Sequence, residues 1–196
     1  MAEKLEALEI KAGRQVKVWF MDEARFGLHT DLRRVWTIKG VRPIVTRQIK
    51  YQWDYLYGAL GAVGGDVHFM HVPGVNLEWD GAYLENLAAS DPTAVHVVVR
   101  DQAGFHLRDG EARLPERVRI IDLPPYSPEL NPCEQMWDIV KDDTCNHVHK
   151  TISELRKRIG ETLRRYWEDA PAVQRLIGRD WFLAELNAIP KNRLSA

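Results

Sequence analysis

Two short apolar runs, each followed at once by an aspartate, constrain the fold of this chain more than any other feature. Residues 16–21 read VKVWFM and precede Asp22, and residues 95–100 read VHVVVR and precede Asp101. Runs so rich in β-branched and aromatic residues are typical of strands that are buried on both faces. Ligands gather at the carboxyl ends of the strands in such sheets. The sequence therefore predicts an α/β fold with two aspartates at one edge of its sheet.

The rest of the pattern predicts a mixed sheet with helices packed on it. Further strands are expected at residues 32–38, 52–63, 67–72 and 118–123, and helices at 3–11, 76–89, 131–144, from 151 and from 171. The early strands are joined by hairpin-like turns, which gives an antiparallel part. The later strands are joined through a helix, which gives a parallel part.

A third acid, Glu134, lies in the first turn of the helix that Asn131 and Pro132 open. If it meets Asp22 and Asp101, the three carboxylates repel one another and raise each other's pKa, unless a divalent cation lies among them. Each acid also has a structural alternative. Asp22 can end a strand, Asp101 can cap a turn, and Glu134 has the spacing of a capping-box glutamate.

Three segments resemble the signature blocks of mariner-related DDE transposases of bacterial insertion sequences, which are DDE superfamily endonucleases. The segments are WFMDEARFG at 19–27, DQAGFH at 101–106 and LPPYSPELNPCE at 123–134. The resemblance covers roughly residues 16–180, and the 32 residues between Asp101 and Glu134 are close to the short spacing of this group. Gln102 departs from the commoner Asp-Asn-Ala form of the second block, which leaves its role open.

This resemblance implies a ribonuclease-H-like fold and a metal-dependent DNA strand transferase. Asp22, Asp101 and Glu134 match the catalytic, metal-binding triad, which would hold Mg²⁺ or Mn²⁺, with two ions expected. Such enzymes cleave phosphodiester bonds at transposon DNA ends and transfer the freed 3′-hydroxyl to target DNA. The implied partners are double-stranded DNA, at transposon ends and target, and a second copy of the chain in the DNA complex.

Residues 1–15 are expected to form a short connector helix, 16–180 the catalytic domain and 181–196 a tail. Only about 15 residues precede the first strand, so a helix-turn-helix module is expected to be missing or to be supplied by a separate DNA-recognition chain. The sequence has no apolar run of membrane-spanning length and no signal-peptide pattern, which predicts a cytoplasmic protein without a membrane partner.

The net charge of −1 conceals an uneven distribution. Residues 31–50 carry six basic residues and one acidic residue, and residues 147–196 carry ten basic and six acidic residues. The segment between them, 51–146, carries six basic and sixteen acidic residues. Basic flanks suit a polyanion and an acidic centre suits metal cations, although solvated helix faces explain mild charge blocks as well. The candidate DNA contacts are Arg25, Arg33, Arg34 and His106, with a packed, structural role as the alternative for His106.

Two other functions remain open from the sequence. One is a ribonuclease-H-like nuclease without strand transfer, and the other is a non-catalytic, DNA-binding relic of a transposase. A zinc site at Cys145, His147 and His149 is disfavoured, because no fourth ligand lies at a suitable spacing.

Overall fold

The computed structural model describes residues 14–178, in which three strands, one α-helix, two further strands and three α-helices follow one another. The predicted helix at 3–11 and the tail at 181–196 lie outside these residues. The strands are β1 (Val16–Gly27), β2 (Trp53–Gly61), β3 (Val67–Val72), β4 (Val95–Arg100) and β5 (Val118–Asp122). The helices are α1 (Leu77–Ser90), α2 (Cys133–Thr144), α3 (Ile152–Glu168) and α4 (Ala170–Ile177).

The strands form one mixed sheet in the order β3-β2-β1-β4-β5. The pairs β1–β2 and β2–β3 are antiparallel, and the pairs β1–β4 and β4–β5 are parallel. Gly65, with a φ of +75°, closes the tight turn between β2 and β3, where only glycine adopts that backbone conformation without strain. The predicted mixed sheet, with a hairpin part and a parallel part, is confirmed.

Helices cover both faces of the sheet, which explains why its central strands are apolar without alternation. On β1, Phe20 belongs to a core that includes residues of α2, α3 and α4. The neighbouring Trp19 and Met21 belong to the other core, beneath α1. Phe20 and Met21 are fully buried, and burial of each such side chain is worth about 1.5–3 kcal/mol.

The prediction of a strand at residues 32–38 is wrong. Residues 28–52 have no regular secondary structure, and the side chains of Trp36 and Ile44 are fully exposed. The sheet of the described residues consists of β1 to β5, and none of these strands pairs with the segment. Backbone hydrogen bonds from the N–H of Leu28 to the carbonyl of Gln52 and from the N–H of Thr30 to the carbonyl of Gln48 join the two ends of the segment, which we call its base. No helix within residues 14–178 has the length and apolar character that a bilayer span needs.

Candidate active site

Asp22 and Asp101 lie at the same height along the sheet because the parallel strands β1 and β4 are hydrogen-bonded neighbours. β1 pairs with β4 up to Phe20 and Val99, and β4 ends at Arg100. Asp22 on β1 and Asp101 after β4 each lie two residues beyond this last pair. Asp22 does not end its strand, since β1 continues to Gly27 against β2 alone. The expected position at the sheet edge results instead from the end of the neighbouring strand β4.

The carboxylate of Asp22 lies in a half-buried position that disfavours its charge. Its Oδ2 accepts a hydrogen bond of 2.8 Å from the indole Nε1 of Trp137. Burial, followed by the nearby charges of Glu23 and Glu134, raises the pKa of Asp22 to about 7. A raised pKa for an acid in a cleft is a physical sign of a functional site.

Asp101 has the opposite electrostatic environment. Its side chain is 64% exposed, and its Oδ1 accepts a hydrogen bond of 3.0 Å from the backbone N–H of Ala103. The imidazole of His106 lies 3.3 Å from the same oxygen and, as the main cause, holds the pKa of Asp101 below its ordinary value. The expectation that the clustered acids raise each other's pKa therefore holds for Asp22 and fails for Asp101.

Asn131 fixes the start of α2, and with it the position of Glu134. The buried Asn131 donates from Nδ2 to the carbonyl of Met21 at 2.9 Å and accepts from the N–H of Cys133 at 3.1 Å. Its own N–H donates to the carbonyl of Pro128. Glu134 therefore does not close a capping box, and its exposed side chain is available to a ligand.

One cleft of about 340 Å³ brings the three acids together. The proline-rich segment before α2 forms one wall, and Tyr126 there is fully exposed with a φ of +56°. Gln102, another lining residue, donates to the carbonyl of Leu123 at 3.0 Å and so ties its loop to the end of β5. The acids that line the cleft are Asp22, Asp101 and Glu134.

A buried ionic network under the cleft was not predicted from the sequence. Nε2 of His106 lies 3.1 Å from both carboxylate oxygens of Glu23. Asp80 and Arg100, which are both fully buried, form a two-pronged ion pair, and Asp80 also accepts from the N–H of Leu107 at 2.8 Å. Burial lowers the pKa of His106, but its bonds to Asp101 and Glu23 outweigh burial and raise that pKa to about 9.

Donor atoms of Glu23, Asp80 and His106 lie within 4.8 Å of one another, the only such group of three among residues 14–178. The two cations His106 and Arg100 already satisfy its carboxylates, so the network has the character of an ion-pair cluster. Asp22, Asp101 and Glu134 do not form such a group. Two metal ions about 3.5–4 Å apart can be bound by different carboxylates. Three acids that hold such a pair therefore do not all have to contact the same ion.

The four candidate DNA contacts differ in their availability. Arg25 and Arg34 are exposed, whereas Arg33 pairs with Asp138 at 3.0 Å and also with Asp142. His106 is only 2% exposed and its imidazole contacts Glu23 and Asp101, which favours the structural alternative over a contact with a DNA phosphate.

Comparison with known proteins identifies the family of the chain. The sequence profile of the family described as DDE superfamily endonuclease matches residues 17–156, which contain all three acids. The chain belongs to this family. An uncharacterized protein of Sinorhizobium fredii, y4pE/y4sA, is 30% identical to this DDE endonuclease over 105 residues, which are 53% of this chain and 77% of the relative.

Solved structures with a similar fold include two complexes of the Mos1 transposase. The chain resembles the Mos1 strand transfer complex with a TM-score of 0.59 and 11% identity, over 98% of this chain and 58% of the Mos1 chain. The Mos1 mariner paired end complex with Mn also gives a TM-score of 0.59 and 11% identity, over 94% and 59%. This DDE endonuclease thus spans less than two thirds of those chains, and the likeness confirms its ribonuclease-H-like fold.

Proposed function

We propose that this DDE endonuclease is the catalytic domain of a transposase. It cleaves phosphodiester bonds at transposon DNA ends and joins the freed 3′-hydroxyl to target DNA. The observation that carries the proposal is the single cleft lined by Asp22, Asp101 and Glu134, which come from β1, from the end of β4 and from the start of α2. Family membership and the fold shared with the Mos1 complexes support it.

The donor set fits hard divalent cations. Three carboxylates in one cleft offer only oxygen ligands, which Mg²⁺ and Mn²⁺ prefer. Burial is the main cause of the raised pKa of Asp22, and the charges of Glu23 and Glu134 add to it. A divalent cation in the cleft would favour the charged carboxylate. Asp22, Asp101 and Glu134 would hold such ions, two by our proposal. Bound ions supply Lewis-acid polarisation of the scissile phosphate and activate the attacking oxygen.

The residues around the triad orient its carboxylates for this chemistry. Trp137 holds one oxygen of Asp22, His106 holds Asp101, and Asn131 fixes the helix that presents Glu134. In the first step, a water oxygen attacks phosphorus, the bond to the 3′ oxygen breaks, and a 3′-hydroxyl is released. In the second step, that 3′-hydroxyl attacks a phosphodiester of the target DNA and displaces the target's own 3′ oxygen.

The proposed partners are double-stranded DNA at the transposon ends and the target, and a second copy of the chain in the DNA complex. The protein itself would act in the cytoplasm, on DNA of the bacterial nucleoid.

Nicking of supercoiled plasmid DNA in Mn²⁺ or Mg²⁺ tests the nuclease activity, and joining of a labelled oligonucleotide to plasmid tests strand transfer. Asp101→Asn and Glu134→Gln should each abolish both reactions, while the control Asp66→Asn, outside the cleft, should retain them. An oligonucleotide with a 3′-deoxy end should not be joined. Cleavage of RNA–DNA hybrids without joining would favour a simple nuclease, and no Mn²⁺ binding at millimolar concentration would favour a non-catalytic relic.

A further inference from the structure

A second cavity, of about 490 Å³, lies beside the end of β1 and the last turns of α2. We call it the basic pocket, after the six basic side chains among its lining residues. Only one acid, Asp31, lines it. The basic residues of the pocket are Arg25, His29, Arg47, Lys141, His147 and His149.

The permanent charges of the basic pocket have no ion-pair partner in the part of the chain that the structure describes. Among residues 14–178, none of Arg25, Arg47 and Lys141 has a carboxylate within ion-pair distance. The acids of α2 near Lys141 are engaged elsewhere. Asp138 and Asp142 pair with Arg33, and Asp143 pairs with Arg158 at 2.7 Å. Cations concentrated in a concave surface attract an anionic ligand.

The walls of the basic pocket are held in place. The side-chain amide of Gln48 donates to the carbonyl of Leu28 at 2.9 Å and to that of His149 at 3.0 Å. These two bonds connect the base of segment 28–52 to the loop after α2. The guanidinium of Arg25 stacks 4.4 Å from the centre of the Trp53 ring, which fixes the charge and leaves its N–H edge free for hydrogen bonds. A preformed pocket costs little entropy when it binds a ligand.

The basic pocket is aligned with the catalytic cleft along α2. Lys141 follows Glu134 by seven residues, which is two helical turns, so both lie on nearly the same face about 10.5 Å apart along the axis. That distance corresponds to about three base-pair rises of 3.4 Å along one DNA strand. A strand whose reacting phosphate lies at the acids therefore has neighbouring phosphates within reach of the basic pocket.

We infer that the basic pocket binds backbone phosphates of the DNA strand that runs through the catalytic cleft. The choice of DNA as the anion rests on the proposed function. The guanidinium groups of Arg25 and Arg47 can form bidentate hydrogen bonds to phosphate oxygens, and the ammonium group of Lys141 attracts phosphate as a point charge. Contacts of this kind position the duplex without reading its sequence.

The test is the salt dependence of DNA binding, measured by the fluorescence anisotropy of a labelled 30-base-pair duplex in EDTA. Each lost phosphate contact reduces the slope of log K against log[salt] by about 0.9. Arg47→Gln and Lys141→Gln should each lower the slope by about that amount and weaken binding several-fold at low salt. The double variant should lower it by about 1.8.

Arg164→Gln is the matched control, because it removes the same charge from an exposed position of α3 that lines neither cavity. Arg47→Lys, which keeps the charge, should restore most of the slope and separates a phosphate contact from a folding defect. Slopes for Arg47→Gln and Lys141→Gln equal to that of Arg164→Gln would overturn the inference, as would wild-type protein without salt-dependent binding. Normal binding without metal-dependent cleavage would instead count against the proposed function alone.

Discussion

The indole of Trp137 donates a hydrogen bond of 2.8 Å to the carboxylate of Asp22. Trp137 follows Glu134 by three residues on α2 and is buried against the sheet. The helix that presents one acid of the cleft thus also holds another. The bond favours the charged form of Asp22 and so opposes burial, the main cause of its raised pKa.

Trp137→Phe should keep the aromatic packing and remove only this donor. Loss of a hydrogen bond to a charged group costs about 1.5–3 kcal/mol, so Mn²⁺ affinity and cleavage should fall roughly 10- to 100-fold. Isothermal titration with Mn²⁺ and plasmid nicking measure the two effects. Trp167→Phe, at a half-exposed position on α3, is the control and should change neither. Wild-type metal affinity in Trp137→Phe would reduce the role of the indole to packing.

Gly58 is the position on the sheet that lets Trp137 approach Asp22. It lies opposite Asp22 in the β1–β2 register, and a Cβ there would come 2.5 Å from the Trp137 ring and 2.9 Å from Phe69. Gly58→Ala should therefore destabilise the fold by about 1–3 kcal/mol through overpacking, and it should weaken Mn²⁺ binding by displacing the indole.

Gly160→Ala gives the opposite expectation for the same chemical change. Gly160 lies inside α3, and nothing would lie within 4 Å of the added Cβ. Alanine is favoured over glycine in a helix interior by about 0.5–1 kcal/mol, so this variant should be more stable. Urea unfolding compares the two variants, and equal shifts of the same sign would contradict the packing argument at Gly58.

The opposite pKa shifts of Asp22 and Asp101 predict opposite effects on stability. The pKa of Asp22 is raised from 3.8 to about 7, so folded-state stability falls as pH rises through that interval. The penalty above pH 7 is about 4 kcal/mol. In EDTA at pH 8, Asp22→Asn should therefore stabilise the fold by a few kcal/mol, and at pH 4 the gain should largely vanish.

Asp101→Asn should instead lower stability at pH 8, because His106 favours the charged form of Asp101. Urea unfolding at pH 4 and pH 8 distinguishes the two variants. If Asp22→Asn had a lower free energy of unfolding than wild type at pH 8, with a normal far-UV spectrum, then the charged carboxylate of Asp22 would not destabilise the fold as its raised pKa implies.

The sequence was sufficient to predict the buried strands β1 and β4 and the position of the two aspartates beside them. Apolar runs without alternation indicate a sheet covered on both faces, and two such runs, each followed by an aspartate, placed Asp22 and Asp101 at one edge. The proline-rich block before Glu134 carried the family resemblance. These signals are local, because each depends on residues adjacent in the chain.

Features that depend on distant partners were not predictable. Arg33 meets Asp138, and His106 meets Glu23, across 105 and 83 residues, and no periodicity records such pairs. The strand expected at 32–38 failed for a related reason, because a β-rich segment forms a strand only when another strand pairs with it, and none of β1 to β5 pairs with this segment. The sequence carries no signal that places Trp137 at the cleft, and only the tertiary structure brings its Nε1 to Asp22.

The buried carboxylate of Asp54, which lines neither cavity, gives a prediction about acid stability. Asp54, in β2, is 1% exposed and accepts hydrogen bonds of 2.6 Å from Nδ1 of His71 and of 2.6 Å from Nη2 of Arg156. These bonds connect the β2–β3 hairpin to α3. Burial raises the pKa of Asp54, but the bonds from His71 and Arg156 outweigh burial and hold that pKa below 3.8.

A lowered pKa means that Asp54 stabilises the fold above pH 3.8 and that this contribution is lost as pH falls through its folded-state pKa. Asp54→Asn should cost about 2–4 kcal/mol at pH 7, because it leaves Arg156 without its carboxylate, and the difference from wild type should shrink towards pH 3. Asp66→Asn, which removes an exposed ion pair with Lys17, should cost less than about 1 kcal/mol. Urea unfolding of all three proteins between pH 7 and pH 3 measures the differences. A deficit of Asp54→Asn that stays constant over this range would mean that packing, and not the charge of Asp54, holds the hairpin to the helix.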